Sequence, residues 1–162
     1  MVARLAIKDR LEVALHSLRQ DDAFMLEIRV AERAVAGRLQ AHLAPLFPGF
    51  SVDTEYNRHG IDPKRVPLGP PCHRVLRGDA LVIPDLIVHH RGHDEENELV
   101  VEIKFDDSAA EDLQCDRVKL AAIKAEFRYR RSALLILPFG PHAAERAIWI
   151  EWDGGIDHSA VV

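Results

Sequence analysis

Two extended apolar runs, each interrupted by an isolated acid, constrain this chain more than any other feature. Residues 81–89 read LVIPDLIVH and residues 99–105 read LVVEIKF, with a polar stretch at 91–97 between them. Runs of this length, rich in Val, Ile and Leu and joined by a polar turn, specify an antiparallel hairpin. A helical stretch follows at 108–127, where Leu113, Val118, Leu120, Ala121 and Ile123 supply apolar contacts. It leads to ALLIL at 133–137, typical of a strand covered on both faces. AIWIEW at 147–152 adds a further strand, expected at an edge, and 154–162 reads as a frayed tail.

Upstream, Leu11, Ala14, Leu15 and Leu18 recur at helical spacing. A second helix, capped by Asp21 or Asp22, is expected to run to about Leu43, before Pro45 and Pro48-Gly49 end it. SVDTEYN at 51–57 suits a strand, whereas 58–80 holds too many Pro and Gly for regular structure and reads as a long loop. The order helix, three strands, helix, one or two strands predicts an α/β fold with a mixed central sheet flanked by helices. With 162 residues the chain suits one domain, burying roughly 70% of the surface its unfolded form exposes.

Several function classes find no support. No apolar run approaches the ~20 residues that span a bilayer. There is no glycine-rich phosphate loop and no serine in a nucleophile elbow. His59, His73, His89, His90, His93 and Cys72 crowd the hairpin and long loop without the paired spacing of a structural zinc site. Trp149 and Trp152 suit packing better than base stacking. Cys72 and Cys115 have neither metal nor redox spacing, and Arg4, Lys8, Asp9 and Arg10 stand where a secretory leader would be apolar, so a reducing cytoplasm is the expected compartment. Net charge is −5, which by itself does not mark a nucleic-acid binder. The segment 117–131 runs the other way, with Arg117, Lys119, Lys124, Arg128, Arg130 and Arg131 against the single acid Glu126. That run suits phosphate contacts, and equally suits a solvated helix face.

The chemistry-bearing residues are charges where the pattern wants apolar side chains. On the second helix the stripe Met25, Ile28, 32, Val35, Leu39, Leu43 carries Glu32. In the first strand of the hairpin, Ile83, Asp85 and Ile87 share a face, and Pro84 removes a backbone donor just before the acid. In its partner, Val100, Glu102 and Lys104 project to one side, the last two roughly 7 Å apart. Each feature alone fits an ordinary ion pair or a turn. Together, the hairpin brings Asp85 beside Glu102 and Lys104, and the helix lays Glu32 over the same end of the sheet. Clustered carboxylates repel, so such a group is best tolerated around a divalent cation, and hard oxygen ligands with room for water describe Mg²⁺.

Pro84-Asp85, sixteen residues, then Glu102-Ile103-Lys104, with Glu32 on a preceding helix, resembles the signature of the PD-(D/E)XK nuclease superfamily. The chain is also similar to a compact branch of it in which Glu55-Tyr56-Asn57-Arg58, His89-x-Arg91-Gly92, Asn97 and Asp116-x-x-Lys119-Leu120 recur. The resemblance implies a restriction-endonuclease-like αβββαβ core over about 24–140. It implies Asp85, Glu102, the Ile103 carbonyl and Glu32 as ligands of Mg²⁺, for which Mn²⁺ would substitute. Lys104 would orient or deprotonate the attacking water and offset phosphorane charge. Lys119, Arg117 and Tyr129 become candidate phosphate contacts, and Glu55 a supporting residue behind the metal ligands. DNA is the implied substrate, in restriction, repair or defence, and many members act as homodimers. An exonuclease-type Gln and Tyr four apart are missing, since Gln114 is followed at that distance by Val118. RNA cleavage, or a nuclease fold kept as a binding module, stays open.

Overall fold

The computed structural model describes residues 5–59, 62–69, 72 and 79–162. Three helices come first: α1 (Ile7–Asp21), α2 (Ala23–Glu27) and α3 (Glu32–Leu43). Strand β1 (Ser51–Thr54) follows, then four short strands: β2 (Arg58–His59), β3 (Asp62–Pro63), β4 (Arg65–Pro67) and β5 (Asp79–Leu81). The hairpin β6 (Leu86–His89) and β7 (Leu99–Phe105) leads to α4 (Ala110–Phe127), β8 (Arg131–Leu137), β9 (Ile148–Trp152) and β10 (Asp157–Val161). The main sheet is mixed and six-stranded, in the order β1-β6-β7-β8-β9-β10, with β7 and β8 parallel and the other pairs antiparallel. A helical crossover is what two adjacent parallel strands require, and α4 supplies it.

Alternation along β7 places Leu99, Val101, Ile103 and Phe105 in one core with Leu11, Leu15 and Leu18 of α1 and Val35, Leu39 and Leu43 of α3. Val100 enters a second core with Leu134 of β8 and Leu120, Ile123 and Phe127 of α4. Each leucine so buried contributes roughly 2 kcal/mol of hydrophobic stabilisation. With both faces of β7 covered, Glu102 and Lys104 on the α4 side stand in protein rather than in solvent.

Several expectations need correction. The second helix is not continuous to Leu43: α2 ends at Glu27, Arg29 takes the left-handed conformation (φ 52°), and α3 starts afresh at Glu32. Ile28, expected on the inward stripe, is consequently exposed. Residues 82–85 are not strand, and β6 begins only at Leu86. The tail is not frayed, because β10 pairs with β9 across a turn at Asp153-Gly154-Gly155, all at positive φ, and Arg19 donates to the Val161 carbonyl at 2.9 Å. The sheet edge is therefore β10 and not β9. The stretch 58–80, expected irregular, carries the β2–β3 and β4–β5 ladders in its described parts and buries Val66 against α4. No helix among the described residues is long and apolar enough to cross a membrane.

Cys72 and Cys115 form a disulfide that ties the long loop to α4. Such bonds are rare in a reducing cytoplasm, so the bridge and the expected compartment point in opposite directions. The bond closes a loop of 43 residues' separation, for which chain entropy gives about 2–4 kcal/mol. Dithiothreitol is expected to lower the calorimetric melting temperature by roughly 5–15 °C in a chain of this size. An unchanged midpoint, with free thiols titrating before reduction, would contradict the bridge.

Candidate active site

β6 starts late, and that sets the position of Asp85. Pairing between β6 and β7 stops at Leu86 opposite Val101, so the next inward-facing amide of β7, that of Ile103, has no strand partner there. Asp85 Oδ2 accepts from it at 2.7 Å, while the Asp85 carbonyl accepts from the Glu55 amide at 3.3 Å. In an extended strand the N–H and C=O of one residue leave by the same edge, so the Ile103 carbonyl faces this opening too. Pro84, which has no N–H to offer a neighbouring strand, precedes the bend.

Around this opening, acids and lysines alternate. Lys119, on the third turn of α4, sets its Nζ 2.9 Å from Glu102 Oε1 and 3.5 Å from Asp116 Oδ1. Lys104 Nζ lies 3.4 Å from Asp116 Oδ2 and 3.3 Å from Glu32 Oε2. Glu32 stands on the first turn of α3, where the helix dipole favours a carboxylate. Asp85, Glu102, Lys104 and Glu32 are thus brought to one end of the sheet, joined by Lys119 and by Asp116. Asp116 was not among the residues singled out as ligands. Its signal was available, since it occupies the inward stripe Leu113, 116, Leu120, Ile123, Phe127 of α4 and is itself buried.

Glu102 is 1% exposed. Burial pushes its carboxyl well above the ordinary value; Lys119 pulls it down, while Asp85 and Asp116 push it up further. For both lysines burial acts downward, but the surrounding acids outweigh it: Asp116 and Glu32 hold Lys104 high, and Glu102 and Asp116 do so for Lys119. The acids beside Lys104 favour its ammonium form, the form that stabilises developing negative charge. In formal charge, four carboxylates face two ammonium groups, two more acids than bases. Glu102 Oε1 and Asp116 Oδ2 are buried with no donor in hydrogen-bonding geometry, although each has an ammonium within ion-pair distance.

Other expected contributors lie elsewhere. Glu55 has an exposed side chain at φ 50° and meets the site only through its amide. Tyr129 is 3% exposed and its hydroxyl is buried, so it faces the core instead of a phosphate. Arg117 makes a forked pair with Glu151, both bonds at 2.7 Å. Lys124 and Arg131 pair with Asp153 and Arg130 with Glu98, so five of the six cations of the basic run are engaged internally. The His89-x-Arg91 motif is likewise structural, since His89 Nε2 (2.8 Å) and Arg91 Nε (2.9 Å) both contact Asp53, tying β6 to β1. Arg117→Ala is expected to destabilise the fold by about 2–3 kcal/mol, because it strands buried Glu151, and to leave nucleic-acid affinity within about twofold. Denaturant melts and a filter-binding titration check this; lost affinity without lost stability would return Arg117 to the phosphate-binding set.

Among the described residues no group of three or more His, Cys, Asp or Glu side chains is assembled as a metal cage. The donor set nevertheless suits Mg²⁺, which takes one or two carboxylates and keeps several waters. Asp85 and Glu102 supply hard oxygens, and the Ile103 carbonyl faces the same opening. No family model, curated protein or solved structure matches the chain. What it does is therefore argued from this geometry.

Proposed function

We propose that this chain is a metal-dependent phosphodiesterase of the PD-(D/E)XK nuclease type, cleaving DNA in restriction, repair or defence. The observation that carries the reading is the convergence of Asp85, Glu102, Asp116 and Glu32 on two lysines at the opening between β6 and β7. Neutrality there requires protons or a doubly charged ion, and the first leaves the conjunction of Asp85, Glu102 and Lys104 without a use. Support also comes from the main sheet, where, with β2–β5 set aside, α3 is followed by the antiparallel strands β1, β6 and β7, then α4 and the parallel strand β8.

Asp85, Glu102 and the Ile103 carbonyl would hold Mg²⁺, with Glu32 reaching its hydration shell. When bound, Mg²⁺ polarises the phosphoryl oxygen and lowers the pKa of a coordinated water. Lys104 would orient or help deprotonate the attacking water and, as an ammonium, stabilise negative charge as it develops on the phosphoryl oxygens. Glu32 and Asp116 fix the direction of that ammonium from two sides. The amide of Ile103 holds Asp85 through Oδ2, and Oδ1 would be the oxygen offered to the ion.

A second reading, a nuclease fold kept as a binding module, draws on the internal pairing of the basic run and the net charge of −5. Supercoiled plasmid and labelled RNA, each incubated with Mg²⁺ or Mn²⁺, separate the two. Plasmid nicking that disappears on chelation is the expected result. Retention of nucleic acid without any cleavage would support the module, and cleavage of RNA alone would move the substrate class.

A further inference from the structure

Of the two lysines at the site, Lys104 is gripped between Glu32 and Asp116, on opposite sides of the opening. Lys119 is placed differently. Its ammonium is shared by two buried carboxylates, Glu102 and Asp116, whereas one of the two acids on Lys104, Glu32, is partly exposed; the two lysine side chains are themselves alike in exposure, 20% and 22%. A lysine has an unbranched, flexible stem and a compact point charge, so it can withdraw toward solvent without disturbing α4. Each acid also has a buried oxygen whose cationic neighbour is a lysine: Glu102 Oε1 with Lys119 at 2.9 Å and Asp116 Oδ2 with Lys104 at 3.4 Å.

We infer that the Lys119 ammonium is a resident counter-ion, holding Glu102 and Asp116 in the metal-free protein and giving way when Mg²⁺ or Mn²⁺ enters. The inference rests on the metal-site reading above and assigns the residue that regulates it. One unit charge neutralises only part of the acid excess, and an ion of charge two does so more completely, which sets the direction of the exchange. The displaced ammonium stays within a side-chain length of the ion, where an approaching phosphate would meet it. Lys119 thereby acts before catalysis as a positioning residue that holds the Glu102 and Asp116 carboxylates in place.

Calorimetric titration of Mn²⁺ into wild type, Lys119→Met and Lys119→Arg at pH 8 tests this. Removing the competing charge is expected to tighten Mn²⁺ binding about tenfold or more in Lys119→Met, with affinity near wild type in Lys119→Arg. The metal-free Met variant should melt below wild type and gain more on Mn²⁺ addition. Affinity unchanged or weaker in Lys119→Met overturns the inference. Should that variant fail to fold, the ¹⁵N resonance of the Lys119 ammonium in wild type decides: it should be sharp and protected without metal and lose protection with Mn²⁺'s diamagnetic substitute Mg²⁺, while an unmoved signal at saturation overturns the exchange. Plasmid cleavage by wild type alongside unaltered affinity in Lys119→Met defeats this inference and leaves the nuclease reading standing. Tighter binding without cleavage of any substrate does the reverse, and no metal binding in either protein defeats both.

Discussion

Asp85→Asn is expected to lower Mg²⁺-dependent cleavage by about a thousandfold or more while the fold survives. Asparagine is nearly isosteric and its side-chain oxygen still accepts the Ile103 amide, the bond that Asp85 Oδ2 makes at 2.7 Å. The start of β6 and its seam with β7 therefore keep their geometry. What disappears is one of the charges that makes the opening attractive to a cation. Lys104→Met should reach a comparable loss from the other side, because the ammonium between Glu32 and Asp116 is then unavailable to the phosphoryl oxygens. Circular dichroism and melting of the variants, beside single-turnover cleavage of plasmid, check the pair. Activity within tenfold of wild type in either variant would remove that residue from the mechanism.

Glu102→Gln is expected to separate function from stability. Cleavage should again fall by about a thousandfold or more, since a carboxylate ligand is gone. Stability of the metal-free protein should move the other way. Glu102 binds its proton more readily in the folded protein than in the unfolded chain, chiefly because it is buried. The stability tied to that proton is fully present below the ordinary carboxylate range and is lost as pH rises through the elevated folded value. Glutamine stays neutral at every pH and brings the local charge from two negative toward one. Relative to wild type, the variant should therefore gain as pH rises from 5 to 8, by about 1 kcal/mol or more at the upper end. Saturating Mg²⁺ should reverse the order, because it stabilises only the protein that binds it. Melting curves across that range, with and without Mg²⁺, make the comparison; a wild type as stable as the variant throughout would mean that Lys119 alone satisfies Glu102.

Much of the site was legible in the sequence, for reasons that differ residue by residue. Asp85, Glu102 and Lys104 could be brought together because a hairpin fixes register by alternation, and their apolar neighbours Leu86, Ile87, Val101 and Ile103 are buried as that pattern demands. Glu32 reached the site by another route than the one expected. The stripe that pointed to it runs through Ile28, which is exposed, and the true cause is a chain break that restarts a helix at Glu32. Asp116 stood in the motif with Lys119 but was given no part in the site, although the stripe test applied to Glu32 finds it on α4. Only the i,i+3 pair of Asp116 with Lys119 follows a local period; the pairs of Lys119 with Glu102 and of Lys104 with Asp116 depend on where α4 crosses β7. The same holds for β10, whose DHSAV lacks apolar alternation and buries only Val161, held by Arg19 from the far end of the chain.

A crystal grown in Mn²⁺ and measured at the manganese absorption edge tests the central claim most directly. The account predicts one strong anomalous peak in the opening between β6 and β7, about 2.0–2.3 Å from carboxylate oxygens of Asp85 and Glu102, with the Lys119 ammonium withdrawn. A fully loaded crystal with no peak there, and with Lys119 still closed on Glu102, would contradict it.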